Sequence, residues 1–171
     1  MSIEAQRRIV LIRHAQAEEA DGADREAPLV DRRRKDASLT GRQLAGTSIK
    51  IDLAIVSPAR RASETWKLID AELSAHPRTA FDDAAYETGP GELIALLNIQ
   101  DDVNNLVLVS HNSGIHALVN DLAGEADGNA LPRLNRSGFP TSAFAILSFT
   151  GSWKALEQGA ARLVDFWAPP A

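Results

Sequence analysis

Two histidines and three arginines stand where apolar runs of the chain give out. Arg13 and His14 end the first run, Arg60 and Arg61 follow a second, and Ser110, His111 and Asn112 end a third. Gathered in one place, these side chains make an anion site. The guanidinium of arginine is a planar fork of donors that matches the oxygens of a phosphate. Helix N-termini beside it would add positive potential.

The elements that must bring them together are legible as runs and periods. Arg8 to Arg13, Asp52 to Val56 and Asn105 to Ser110 are short, β-branched and Leu-rich. Such near-continuous apolar runs suit strands covered on both faces, as in a parallel sheet between helices. Ligands of such sheets bind outside the carboxyl ends of the strands, where the candidate residues lie. A helix is expected from Ser57-Pro58, with Ser57 as cap, Pro58 in the first turn and Ala62, Trp66, Ile69 and Leu73 on one face. Others are expected over 113–122, stopped by Gly124, and over 91–99, with a weaker pattern over 39–47. The polar stretch from Glu18 to Ser38, with Arg32-Arg33-Arg34-Lys35, reads as a long surface loop, partly helical at most, bordering the site. After Pro140 a strand is expected over 141–149. Trp153 to Gln158 and Ala161 to Trp167 suggest a closing hairpin about Gly159. Strand–helix alternation makes this an α/β fold, a three-layer sandwich with a mostly parallel sheet and an antiparallel portion near the C-terminus. The 171 residues are expected to form one domain.

Composition removes several classes of function. There are no cysteines, which excludes disulfides, thiolate metal sites and every cysteine nucleophile, the cysteine-dependent phosphatases included. Lys and Arg number 18 against 23 Asp and Glu, a net charge of −5 that speaks against general binding to nucleic acid or anionic membranes. The first apolar run is far short of the ~20 residues of a membrane helix, so a cytoplasmic protein is expected. His116 lies five residues after His111, ~140° around a helix, so the two share no metal-binding face. His76 beside Pro77 reads as a loop residue.

The motifs also carry a family resemblance. Arg13-His14-Ala15 resembles the Arg-His-Gly signature of the histidine phosphatase superfamily, whose fold is that of the phosphoglycerate mutases. Ser57-Pro58-Ala59-Arg60-Arg61-Ala62-Ser63-Glu64-Thr65 is similar to its Ser-Pro-x-x-Arg-Ala-x-x-Thr segment. Val109-Ser110-His111-Asn112 resembles its second-histidine motif. The short chain and Phe139-Pro140-Thr141-Ser142-Ala143 look most like the SixA-type phosphohistidine phosphatases. The resemblance implies a nucleophile at His14 that holds the phosphoryl group as phosphohistidine, without a metal or other cofactor. Arg13, Arg61, Asn112 and His111, the last if protonated, would bind the phosphoryl oxygens. Arg60 is expected on the surface, paired with Glu64.

In larger relatives a Glu protonates the leaving group, and Glu87 falls in the corresponding stretch. A phosphohistidine depends on it less, because its leaving imidazole has a pKa of ~6.5. Departures from the pattern are Ala20 where mutase-like relatives carry a phosphate-lining Asn, and a compressed Leu39-Thr40-Gly41. The expected substrate is a phosphorylated protein, such as a His-containing phosphotransfer domain, or a small phosphorylated metabolite. The alternatives are a phosphatase of small phosphomonoesters and a non-catalytic phosphate- or partner-binding module on the same fold. Oligomeric state is left open.

Overall fold

Residues 9–12, 53–56 and 106–109 are buried on both faces, so they must occupy the middle of a sheet with helices on each side. A computed structural model describes residues 6–19, 22–86 and 88–170. The strands are β1 (Gln6–Arg13), β2 (Leu53–Val56), β3 (Arg78–Phe81), β4 (Asn105–Ser110), β5 (Ala123–Ala126), β6 (Phe144–Thr150) and β7 (Ala161–Trp167). The helices are α1 (Arg34–Gly46), α2 (Arg60–Asp70), α3 (Pro90–Asn98), α4 (Gly114–Leu122) and α5 (Ala130–Ser137). The sheet order is β3-β2-β4-β1-β6-β7-β5. β3, β2, β4 and β1 run parallel, and β6 pairs antiparallel with both β1 and β7. β5 returns parallel to β7.

Alternate side chains of the central strands build two cores. Ile9, Leu11, Ile55 and Leu108 pack with Leu93 and Leu97 of α3, Ile115 and Leu118 of α4 and Leu134 of α5. Val10, Ile12, Val56 and Val109 face Leu44 of α1 and Trp66 and Ile69 of α2. The result is the expected α/β/α sandwich. Arg13 is in register with Ser110 and Val56 with Val109, so three parallel strands release their next residues at one level. Among the described residues, no helix is long and apolar enough to cross a membrane.

Several elements depart from the sequence reading. α2 begins at Arg60 rather than at Ser57, with Ala59 as its cap. Ser57 is still extended, its N–H bonded to Val109 O, and Pro58 precedes the helix. α1 begins at Arg34 and takes in part of the basic run, and 3-10 turns occupy Asp24–Glu26 and Asp31–Arg33 of the expected loop. Its buried face is Asp36, Ala37, Thr40, Gly41 and Leu44, too small and polar to give an apolar period. A Cβ on Gly41 would come within 2.7 Å of Ile69 O, so glycine lets α1 lie close on α2. α4 does stop at Leu122, yet Gly124 belongs to β5. The closing hairpin is β6–β7; Trp153–Ala155 is a 3-10 turn between its strands.

Gly114, the first residue of α4, marks a second close approach. A Cβ there would lie 2.1 Å from the Thr88 carbonyl oxygen, so glycine allows this helix start to touch Thr88. Gly114→Ala is expected to lower the unfolding free energy by about 1–3 kcal/mol, the usual cost of overpacking. Gly46→Ala is the comparison: nothing lies within 4 Å of its Cβ, and the change should be neutral or stabilising by up to about 1 kcal/mol. Urea unfolding of both variants checks the pair; equal stability would refute the close-contact account.

Candidate active site

His14 leaves β1 with its backbone N–H on Ser110 O, so the nucleophile candidate is tied to the end of β4. Its ring Nδ1 lies 2.7 Å from the Ala15 carbonyl. A carbonyl only accepts, so Nδ1 carries the hydrogen and the neutral ring keeps a lone pair on Nε2. Ala15 N–H donates to Thr65 Oγ1, whose hydroxyl in turn donates to Arg61 O one helical turn back. Thus the four-residue spacing from Arg61 to Thr65 couples the loop behind His14 to the helix that bears Arg61.

Arg13, His14, Arg61 and His111 are brought to one corner. The two imidazole rings stand 5.0 Å apart. Arg13 donates through Nη1 to the Phe139 carbonyl, and its Nε is buried with no partner among the described residues. The segment that holds it is bent: Gly138, Phe139 and Ser142 all have positive φ. Such a backbone is costly for Phe and Ser and persists where packing overdetermines it. Here Phe139 is fully buried against Phe166, and Ser142 N–H donates to the carbonyls of both Arg13 and His14. Thr40 of α1 clamps the same turn by donating to Ser142 O, so Leu39-Thr40-Gly41 braces the site from behind.

Asn112 donates to the Gly138 carbonyl, and its Oδ1 is buried with no partner among the described residues. One of its two amide hydrogens is therefore committed to the same bent turn. Glu87 lies outside the described residues. Arg60 is on the surface and pairs with Glu64 at 3.5 Å, as expected. Exposed His76 pairs with half-buried Asp70, and His116 bonds Asn135 away from His111. Among the described residues, no group of three or more His, Asp or Glu is arranged to hold a metal ion.

The site roles of three participants were not legible in the sequence. Arg61 Nη1 donates to Asp24 O and Nη2 to Asp24 Oδ2, both at 3.0 Å. Tyr86 donates to the same carboxylate, lies edge-on to His111 with centroids 5.4 Å apart, and has Arg25 and Arg61 over its ring. Ser57 Oγ lies 2.7 Å from His111 Nε2. These pairings join residues far apart in the chain, and no spacing rule announces them.

Burial sets the charge states. His14 is pushed down to about 4, chiefly by burial and then by Arg61 and Arg13, which outweigh its bond to Ala15 and the attraction of Asp24. His111 falls to about 3 by burial, with repulsion from His14 and Arg61 added. In the ligand-free protein His111 is thus uncharged at neutral pH, and the condition of a protonated His111 is not met there. Burial also lowers the Arg13 pKa from its ordinary value.

Comparisons with known proteins bear on the family and the fold. The family model of the histidine phosphatase superfamily (branch 1) matches residues 9–93. An uncharacterized protein of Mycobacterium tuberculosis is 34% identical over 162 residues, covering 92% of this chain and 99% of that one. A candidate phosphohistidine phosphatase SixA of Nakamurella multipartita superposes with a TM-score of 0.85 at 27% identity, over 98% of each chain. A second candidate SixA, from Agrobacterium tumefaciens, gives 0.77 at 26% identity, over 95% of this chain and 99% of that one. On this agreement of sequence and fold, the chain is a phosphatase and belongs to the histidine phosphatase superfamily.

Proposed function

We propose that the protein is a phosphohistidine phosphatase of the SixA type, working without a metal through a phosphoryl group carried on His14. The observation that carries the reading is the Nε2 lone pair of His14 beside two buried groups that lack partners among the described residues, Arg13 Nε and His111 Nδ1. A phosphoryl group would accept from both while Nε2 attacks phosphorus. In the first step a P–N bond forms to His14 Nε2 as the substrate's P–N bond breaks, and the leaving imidazole takes a proton. In the second, water attacks phosphorus, the bond to His14 breaks and orthophosphate leaves. Arg13, Arg61, His111 and Asn112 hold the equatorial oxygens in this scheme, and Glu87 supplies the proton where the leaving group needs one. The likeness to SixA-type structures supports a phosphorylated protein as substrate; a small phosphomonoester is the second reading.

His14→Ala should reduce turnover of phosphohistidine and aryl phosphate to the assay background, with and without EDTA present, while far-UV circular dichroism stays native. Retained activity would remove His14 from the chemistry.

Glu87→Gln separates the two substrate readings. An alkyl phosphate, leaving as a strongly basic alkoxide, should lose about 10²–10⁴-fold in kcat/KM, the usual worth of a general acid. A phosphohistidine should lose far less. An equal loss for both would assign Glu87 to binding or structure.

The depressed histidines also make stability depend on pH. Folded, His14 and His111 take protons near 4 and 3, whereas in the unfolded chain they do so near ~6.5. Between these values the unfolded chain binds more protons, so the unfolding free energy falls as pH drops from 7 towards 5. In His14→Gln this fall should be shallower by about one proton's worth. Urea unfolding across that range checks it, and an unchanged slope would contradict a neutral, buried His14.

A further inference from the structure

Ser57 sits at the end of β2, fully buried, yet it is not the helix cap its sequence suggests. Its hydroxyl has two contacts: Oγ accepts the Ala59 N–H at 3.3 Å and lies 2.7 Å from His111 Nε2. The second contact can run in either direction, because a neutral imidazole has one donor nitrogen and one acceptor nitrogen. The two directions differ in what they leave unmatched. With the hydrogen on Nε2, the Ser57 hydroxyl hydrogen has no acceptor among the described residues, and His111 Nδ1 is a bare buried acceptor. With the hydroxyl donating to Nε2, Ser57 is satisfied and the ring hydrogen lies on Nδ1. One buried group then lacks a partner, and it is a donor. Buried polar groups are matched wherever the fold allows, which favours the second arrangement.

We propose that Ser57 is a positioning residue for phosphoryl transfer: its hydroxyl fixes His111 as the Nδ1–H tautomer and so presents that N–H to an oxygen of the transferring phosphoryl group. The acceptor in this statement rests on the phosphatase reading above; the tautomer is a property of the ligand-free protein. The backbone supports the arrangement, since Ser57 N–H bonds Val109 O and locks the ends of β2 and β4 together. Ser57 Oγ only accepts from the Ala59 N–H, which leaves its hydroxyl hydrogen available to the ring. Neutrality makes the choice matter, because an uncharged His111 has a single N–H to direct.

Long-range proton–nitrogen correlation of the histidine side chains, in ligand-free wild type at pH 7 with His111 assigned through His111→Gln, reads the tautomer directly. The expected result is a protonated Nδ1 and a bare Nε2; the opposite tautomer overturns the proposal. In Ser57→Ala the ring should shift towards the Nε2–H form. Its kcat for an aryl phosphate should fall about 10–100-fold, the range seen when the group orienting a functional imidazole is removed. KM should change much less. Ser57→Thr keeps a hydroxyl and should restore both the tautomer and most of kcat. Loss of kcat in Ser57→Ala with an unchanged tautomer would mark a structural role and overturn the proposal, as would no change in either. If Ser57→Thr does not fold, the wild-type spectrum decides alone. Activity surviving in His14→Ala would instead defeat the His14 mechanism while leaving the tautomer result standing.

Discussion

Two arginines and two histidines, all but Arg13 buried, repel one another in one corner, and the surroundings must keep them together. The fold does so by limiting the charge. Both imidazoles are held neutral by burial, with the neighbouring guanidinium charges adding to the effect. The two remaining cations are each tied to fixed oxygen: Arg13 to the Phe139 carbonyl, Arg61 to the carbonyl and carboxylate of Asp24. The buried polar atoms with no counterpart among the described residues include two nitrogens of this corner, Arg13 Nε and His111 Nδ1. A phosphoryl group fits those two, since it brings both negative charge and acceptor oxygens.

The rest of the molecule is arranged around this corner. β2, β4 and β1 lie side by side and parallel, so their ends deliver Ser57, His111 and His14 at one level. Thr65 ties α2 to the loop after His14, and Ser110 ties the end of β4 to Ala85, next to Tyr86. From the other side, the bent turn at 138–142 holds Arg13 and is itself clamped by Thr40. Most of these braces are backbone or short side-chain contacts. That suits a site whose attacking and accepting atoms must be held to fractions of an ångström.

The same logic explains what could be read without coordinates. Ile9 to Ile12 and Leu106 to Val109 announced buried parallel strands because their apolar character is continuous, and Trp66 and Ile69 announced α2 by period. Arg13, His14, Arg61 and His111 were legible because each follows such an element. β3 was not, since it is an edge strand with exposed Arg78 and Phe81 and partly buried Thr79 and Ala80. β5, Ala-Gly-Glu-Ala, has no apolar pattern, and α5 buries only Ala130 and Leu134. The charge-balancing partners were hidden for another reason. Asp24 is 37 residues from Arg61 and 62 from Tyr86, and such pairing is written in the fold rather than in spacing. Ser57 was visible but assigned to the helix start, where its type usually serves.

The central claim is that the phosphoryl group passes through His14. Rapid acid-free quenching of the protein with phosphorus-32-labelled substrate, followed by peptide mapping under alkaline conditions, tests it most directly. The account predicts a label that is stable to base, labile to acid, carried by the peptide containing His14 and absent from His14→Ala. Turnover in wild type with no labelled protein at any time point, or label on a peptide without His14, would contradict it.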